Sequence, residues 1–325
     1  MITFDKLKLV APIDYVEDID PSKFSKVIEN DQTKKLKLKI TTPFSLSIEI
    51  KYDCSEVVIE FTSKALGSEY PKLISINTIE KCFKKINDLG FCYFDPRKMM
   101  MAEVVLCDVT KDVSIADIPA MTKWIRANMS SNQRYLCKRI QSNGNLIITN
   151  NVSKKKNEIR MTIYDKKLEM AQKKEQPFVV ENGLQGIFDG TCRFELNLCS
   201  KRQIRDVLKI SGNTLQEVLL SQSNPLSDYL EKALAKDPVN EKHYSGKDGM
   251  YKHMMYLVLK ECDYDINKVD ALLRLYYNPS KTSIPNKVKP YEALLSEASI
   301  STMSRDTIIN AVSMIEPATP CQARQ

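Results

Sequence analysis

The sequence predicts an α+β fold: a mostly antiparallel sheet with packed helices, followed by a helical C-terminal region. Three observations lead to it. Short β-branched or alternating runs recur through the first two hundred residues. Runs with helical spacing interleave with them, which suits helices laid on a sheet. After Ser200 the strand patterns stop and helical ones follow one another.

In chain order, strands are expected at Ile2 to Val10, Phe44 to Tyr52, Val57 to Phe61, Ala102 to Val109, Asn145 to Thr149, Ile159 to Asp165 and Cys192 to Leu198. Helices are expected over Ile76 to Leu89 and from about Ile118 to Arg139, and Asn143-Gly144 marks a turn before the next strand. Ser200 is placed to cap a helix, because Ile204, Val207 and Leu208 follow at helical spacing. Further helices read at Leu215 to Leu220, Leu226 to Ala235, Gly249 to Cys262, Asn267 to Tyr276 and Arg305 to Met314. The Pro-, Ser- and Lys-bearing stretch from Asn278 to Pro290 reads as a loop, and the tail after Ile315 as frayed. Two regions are therefore expected, residues 1–200 and 201–325.

Composition bounds the class. Of 325 residues, 43% are hydrophobic and 27% charged, enough to bury a core. The longest apolar runs, such as Met254 to Leu259, are too short to cross a bilayer. Asp5, Lys6 and Lys8 interrupt the opening segment, so no signal-peptide core is read there. A soluble protein of the cytoplasm, with no membrane partner, is expected. Nine cysteines, odd in number and never spaced C-x-x-C, argue against a disulfide framework and a zinc ribbon, and the two histidines against a His-rich metal site. No phosphate-binding G-x-x-x-x-G-K-[ST] loop is present.

Charge is concentrated. Between Lys123 and Lys174 stand thirteen Lys and Arg against three acids, Glu158, Asp165 and Glu169, a local balance of +10 in a chain whose net charge is +7. A phosphate backbone would reward that concentration through counterion release, with Lys138, Arg139, Lys154, Lys155, Lys156, Arg160 and Lys167 as candidate contacts. A solvated helical face and a basic loop would look the same.

The chemistry-bearing segment is EIRMTIYDKKLEMAQKK, Glu158 to Lys174. On a strand, Thr162, Tyr164 and Lys166 share one face. A phenol with a pKa near 10 needs a cation beside it to become a nucleophile, and an ammonium also neutralises charge on a phosphoryl group. A tyrosine that serves packing alone fits the same pattern. In AEVVLCDV, Glu103 and Asp108 interrupt an apolar strand, and in CRFELNL, Arg193, Glu195 and Asn197 alternate with apolar residues. Carboxylates on neighbouring strands could hold a hard cation such as Mg²⁺ or Mn²⁺. The alternation in CRFELNL equally describes an ordinary solvated face.

Four segments in this order resemble the plasmid rolling-circle replication initiators of the staphylococcal type. More distantly, they are similar to filamentous-phage initiators and to relaxases of some conjugative elements. ITFDKLKLV looks like the first strand, GFCYFDPRKMMMAEVVLCDV stands at the acidic strand, IRMTIYDKKLE at the nicking motif, and CRFELNLCSKRQIR at the following strand and helix. The resemblance covers roughly residues 1–210 and implies the relaxase-like nicking fold of these initiators.

Carried over by position, the resemblance implies Tyr164 as nucleophile, Lys166 as phosphate-facing cation, Asp108 as metal ligand and Glu195 as a second carboxylate at the metal. The family's two acids stand four residues apart, whereas position 104 is Val104; Glu103, five before Asp108, reaches the site only through a β-bulge. Thr162 replaces an arginine two before the tyrosine, with Arg160 two further back.

What the resemblance implies is an origin-specific, metal-dependent DNA nicking-closing endonuclease that starts rolling-circle replication through a 5′-phosphotyrosine. Its partners would be double- and single-stranded origin DNA and a host helicase in a bacterial cytoplasm. A homodimer is compatible with it, the oligomeric state being open. Residues 201–325 would supply DNA-binding or accessory functions. A mobilisation relaxase would use the same residues, and a non-catalytic DNA-binding regulator would need only the basic stretch. A tyrosine recombinase needs an Arg- and His-rich pocket that two histidines do not provide.

Overall fold

The structure, a computed structural model, describes residues 1–29, 32–129, 135–139, 145–150, 158–234, 249–262, 266–277, 283–298 and 305–314. The strands are β1 (Phe4–Pro12), β2 (Val16–Glu17), β3 (Ser25–Glu29), β4 (Gln32–Ile40), β5 (Leu46–Lys51), β6 (Glu56–Thr62), β7 (Tyr93–Phe94), β8 (Glu103–Ser114), β9 (Tyr135–Arg139), β10 (Leu146–Asn150), β11 (Arg160–Asp165) and β12 (Thr191–Leu198). Ten of them form one antiparallel sheet in the order β3-β4-β5-β6-β1-β8-β12-β11-β10-β9, and β2 pairs with β7.

The helices are α1 (Ile79–Asn87), α2 (Pro96–Met99), α3 (Ile118–Ala127), α4 (Lys166–Met170), α5 (Gln176–Glu181), α6 (Lys201–Leu208), α7 (Leu215–Leu219), α8 (Pro225–Ala233), α9 (Gly249–Glu261), α10 (Ile266–Tyr276), α11 (Ile284–Ala298) and α12 (Arg305–Ala311). The class is α+β with a large antiparallel sheet, and after β12 every element among the described residues is a helix. No helix among the described residues is long and apolar enough to cross a membrane.

Alternation sorts the sheet into two faces. On β12, Cys192, Phe194, Leu196 and Leu198 are buried on one side, while Arg193, Glu195 and Asn197 share the other. The apolar side continues through Leu7 and Leu9 of β1, Cys107 and Val109 of β8, and Met161 and Ile163 of β11. Helices α6, α7 and α8 pack on β8 or β12, with Ile204, Leu208, Leu215, Leu226 and Leu230 buried. Ser200 caps α6 as expected, its side chain accepting from the Gln203 amide.

Two β-bulges shape the polar face. Phe4 pairs with Val109 and Lys6 with Asp108, so Asp5 is an extra residue and lies on the polar side beside Lys6. Lys8 pairs with Leu106 and Leu9 with Val104, making Val105 the extra residue on β8. The second bulge turns Glu103 onto the same face as Asp108.

Compactness divides the chain away from residue 200. One unit holds Met1–Ile118, Ser130–Ala233 and the chain from Ile309; the other holds Pro119–Met129 and Leu234–Ile308. α6 to α8 thus belong with the sheet whose apolar face they cover. Met314 joins the same unit: its carbonyl accepts from the Met1 terminus at 2.7 Å and its amide donates to Asn224 Oδ1 at 2.6 Å. The second unit has its own core of Met255, Leu259, Val269, Leu273, Ile284, Val288 and Leu294.

Three local expectations change. The basic helix ends at Ala127, and Lys138 and Arg139 lie on β9, paired with Ile147 and Leu146 of β10; cross-strand pairing of Leu136 and Cys137 with Thr149 and Ile148 outweighs helical periodicity there. The expected loop at 278–290 becomes helix from Ile284, where Ile284 and Val288 pack into the second unit's core. Strand β11 ends at Asp165 as expected, but Lys166, read as sharing a strand face with Tyr164, begins a helix instead.

Candidate active site

Tyr164 stands near the end of β11, its hydroxyl donating to Glu195 Oε1 on β12 at 2.6 Å. Asp165 then caps α4, its carboxylate accepting from the Leu168 amide at 3.1 Å, which turns the chain out of the sheet. Lys166 is therefore the first residue of a helix rather than the strand neighbour expected. The turn still returns it to Tyr164: its ammonium lies 5.6 Å from the Tyr164 ring centre and 5.0 Å from that of Tyr70, and donates to Glu169 Oε2 at 2.5 Å. Its side chain is almost wholly buried, and burial, followed by the charge of Arg193, lowers its pKa.

Arg193, directly opposite Tyr164 on the neighbouring strand β12, is fully buried. It forks onto Asp112 of β8, Nε to Oδ1 at 2.6 Å and Nη2 to Oδ2 at 2.7 Å, while Nη1 donates to Asp5 Oδ1 at 3.0 Å and to the Tyr70 hydroxyl at 2.8 Å. Glu195 Oε1 lies 4.0 Å from Nη1. Burial and then the charge of Asp5 push Glu195 up to about 7, against the pull of Arg193, the Tyr164 hydroxyl and Lys166. Burial works to raise Asp5 too, but Arg193, Lys166 and Ser63 together hold it below its ordinary value. Tyr164 is raised well above 10, first by burial and then by the charge of Glu195.

Tyr164, Lys166, Glu195 and Asp5 line one cleft of about 630 Å³, together with Thr41, Thr62, Lys64 and Phe178. That volume is in the range of ligand-sized sites. Lysines 64, 166 and 174 stand there with carboxylates 5, 169, 175, 181 and 195, so the cleft itself carries an acidic excess.

The expected metal donors do not converge. Asp108 faces Asn197, whose amide donates to it, two residues along β12 from Glu195. Burial and then the charge of Asp5 raise Asp108, against that amide, Lys6 and Arg160. Glu103 has the right face, yet it pairs with Val10 while Asp108 pairs with Lys6. Four strand residues put them roughly 13 Å apart, and Glu103 is engaged by Lys201. The carboxylates that do converge are already taken, Asp5 and Asp112 by Arg193, Glu195 by Tyr164 and Glu169 by Lys166. Among the described residues no group of three or more His, Cys, Asp or Glu is arranged to hold a metal ion. These residues do not fit the Mg²⁺ or Mn²⁺ site that the resemblance implies.

Of the candidate DNA contacts, Arg160 is exposed on the same face as Tyr164, paired with Asn197, and Lys167 pairs with Asp189 at 3.1 Å outside the cleft. Lys138 and Arg139 are on β9, while Lys154, Lys155 and Lys156 lie outside the described residues. Asp5, Asp112 and Tyr70 were not foreseen. The legible signal for Asp5 is the broken alternation of Phe4-Asp5-Lys6-Leu7, two polar residues between two apolar ones. No protein-family model, curated protein or solved structure matches the chain.

Proposed function

We propose that this chain is a DNA-nicking replication initiator of a plasmid or phage, and that Tyr164 attacks one strand at the origin. The observation that carries this reading is the Tyr164 hydroxyl, lining a cleft of about 630 Å³ with Glu195 at 2.6 Å and the Lys166 ammonium over its ring. Core packing accounts for the ring but not for a carboxylate and a buried cation held against it.

In this reading the phenolic oxygen bonds to phosphorus as the P–O3′ bond breaks, leaving a 5′-phosphotyrosine and a 3′-hydroxyl that can prime synthesis. Lys166, exchanging Glu169 for the phosphate, neutralises the equatorial oxygens. The phosphotyrosine conserves the energy of the cut bond, so the strand can later be rejoined. The four-segment resemblance, the nicking fold it implies and the +10 stretch from Lys123 to Lys174 support the same reading. Strand separation is assigned to a host helicase, the sequence having no phosphate-binding loop.

The test is covalent. Supercoiled plasmid carrying the DNA that flanks the coding sequence should yield open circles and a denaturant-stable protein–DNA adduct mapping to Tyr164. Tyr164→Phe should bind that DNA about as well and form no adduct. An adduct on another tyrosine would displace the assignment, and none in the wild type would sink the enzyme reading.

A further inference from the structure

We infer that Glu195 is the group that takes the proton from Tyr164 during attack, a role in place of the metal-ligand role expected for it. The inference rests on the nicking reading above and specifies the site's missing proton acceptor. Tyr164 is not a preformed phenolate: burial and the neighbouring carboxylate both hold its proton on. The proton must therefore leave as the O–P bond forms, and it needs an acceptor within hydrogen-bond reach. Glu195 Oε1 is that acceptor, at 2.6 Å, within the short range of O–H···O⁻ bonds.

The surroundings favour a base over a ligand. Glu195 faces Asp5 from β1, Lys166 and Glu169 from α4, and Arg193 on its own strand, with Asp112 and Tyr70 behind the guanidinium. Asp5 is fixed as a carboxylate by Arg193 and Ser63, so of the two neighbouring acids Glu195 is the one able to gain a proton. Its raised value of about 7 leaves it partly ionised at neutral pH and still basic enough to accept. In the forward step the Tyr164 proton passes to Oε1, the O–P bond forms, and the P–O3′ bond breaks. The 3′-oxygen takes a proton from solvent. On rejoining, Glu195 returns its proton to the leaving phenolate.

Single-turnover adduct formation should be followed with the same supercoiled DNA as a function of pH and of Mg²⁺ or Mn²⁺. The wild-type rate should fall as pH drops below about 7, because the protonated carboxyl cannot accept. Glu195→Gln should lose about 10²- to 10⁴-fold in rate, lose that pH limb, bind DNA unchanged and gain nothing from added metal. Glu195→Asp should recover part of the rate. A Glu195→Gln enzyme that keeps the wild-type rate, or is restored by raising the metal concentration, overturns the proton-acceptor role while leaving the nucleophile standing. Absence of any Tyr164 adduct in the wild type fails both readings together.

Discussion

Burying a guanidinium is expensive, and Arg193 is buried completely on a strand face where its neighbours Glu195 and Asn197 are only half-buried. Four of its five N–H donors go to Asp112, Asp5 and Tyr70, so the pair geometry offsets the desolvation. The same contacts fix Asp5 and keep a positive charge 4.0 Å behind Glu195. Arg193 thus holds Asp5, Asp112 and Tyr70 in place, four of its five N–H donors being spent on them. Arg193→Met should destabilise the protein by about 3–5 kcal/mol, because Asp5 and Asp112 lose their partner while still shielded from water. Adding Asp112→Asn should recover part of that loss. Urea unfolding decides it: a change below about 1 kcal/mol in the single variant would mean that the carboxylates relax into water.

At the scale of elements, the one-residue cap between strand and helix sets the site. Tyr164 stands opposite Arg193 one residue before the strand's end, Asp165 closes the strand and caps, and Lys166 starts the helix. Asp165→Ala should cost about 1 kcal/mol, and Asp165→Ser only a few tenths, measured by urea unfolding; equal losses in both would show that the carboxylate's charge matters rather than its capping oxygen. Much of this was legible. The seven expected strands all lie in the sheet, because alternation there is dictated by one buried face. Tyr164, Lys166 and Glu195 were legible as a motif, although the two-residue spacing that first joined Tyr164 to Lys166 belongs to a strand that ends too soon. β3, β4 and β9 were not, since a Lys-rich strand such as Gln32–Ile40 looks like solvated chain until its neighbours β3 and β5 pair with it. Asp5 and Asp112 were hidden for another reason. They meet Arg193 across three strands, and only the sheet order β1-β8-β12 brings residues 5, 112 and 193 together.

For the whole molecule, the proposed function requires that a polyanion be drawn to a cleft lined by five carboxylates and three lysines. Attraction at a distance has to come from elsewhere in the chain, and the +10 stretch from Lys123 to Lys174 is where the sequence concentrates it. Under the proposed function a division of labour follows: the basic stretch would gather DNA, and the cleft would handle one phosphate at a time. Backbone contacts position a nucleic acid without reading it. Changing Lys154, Lys155 and Lys156 to Gln should therefore weaken binding and flatten the slope of log affinity against log salt. Each lost phosphate contact should remove about 0.9 from that slope on duplex DNA and about 0.7 on single strands. The mapped nick should stay where it is, and the adduct should form at the wild-type rate once DNA is saturating. A salt titration of DNA binding on the triple variant checks this. An unchanged slope would show that these three lysines are solvated surface, and a shifted nick would make them readers of sequence rather than gatherers of phosphate.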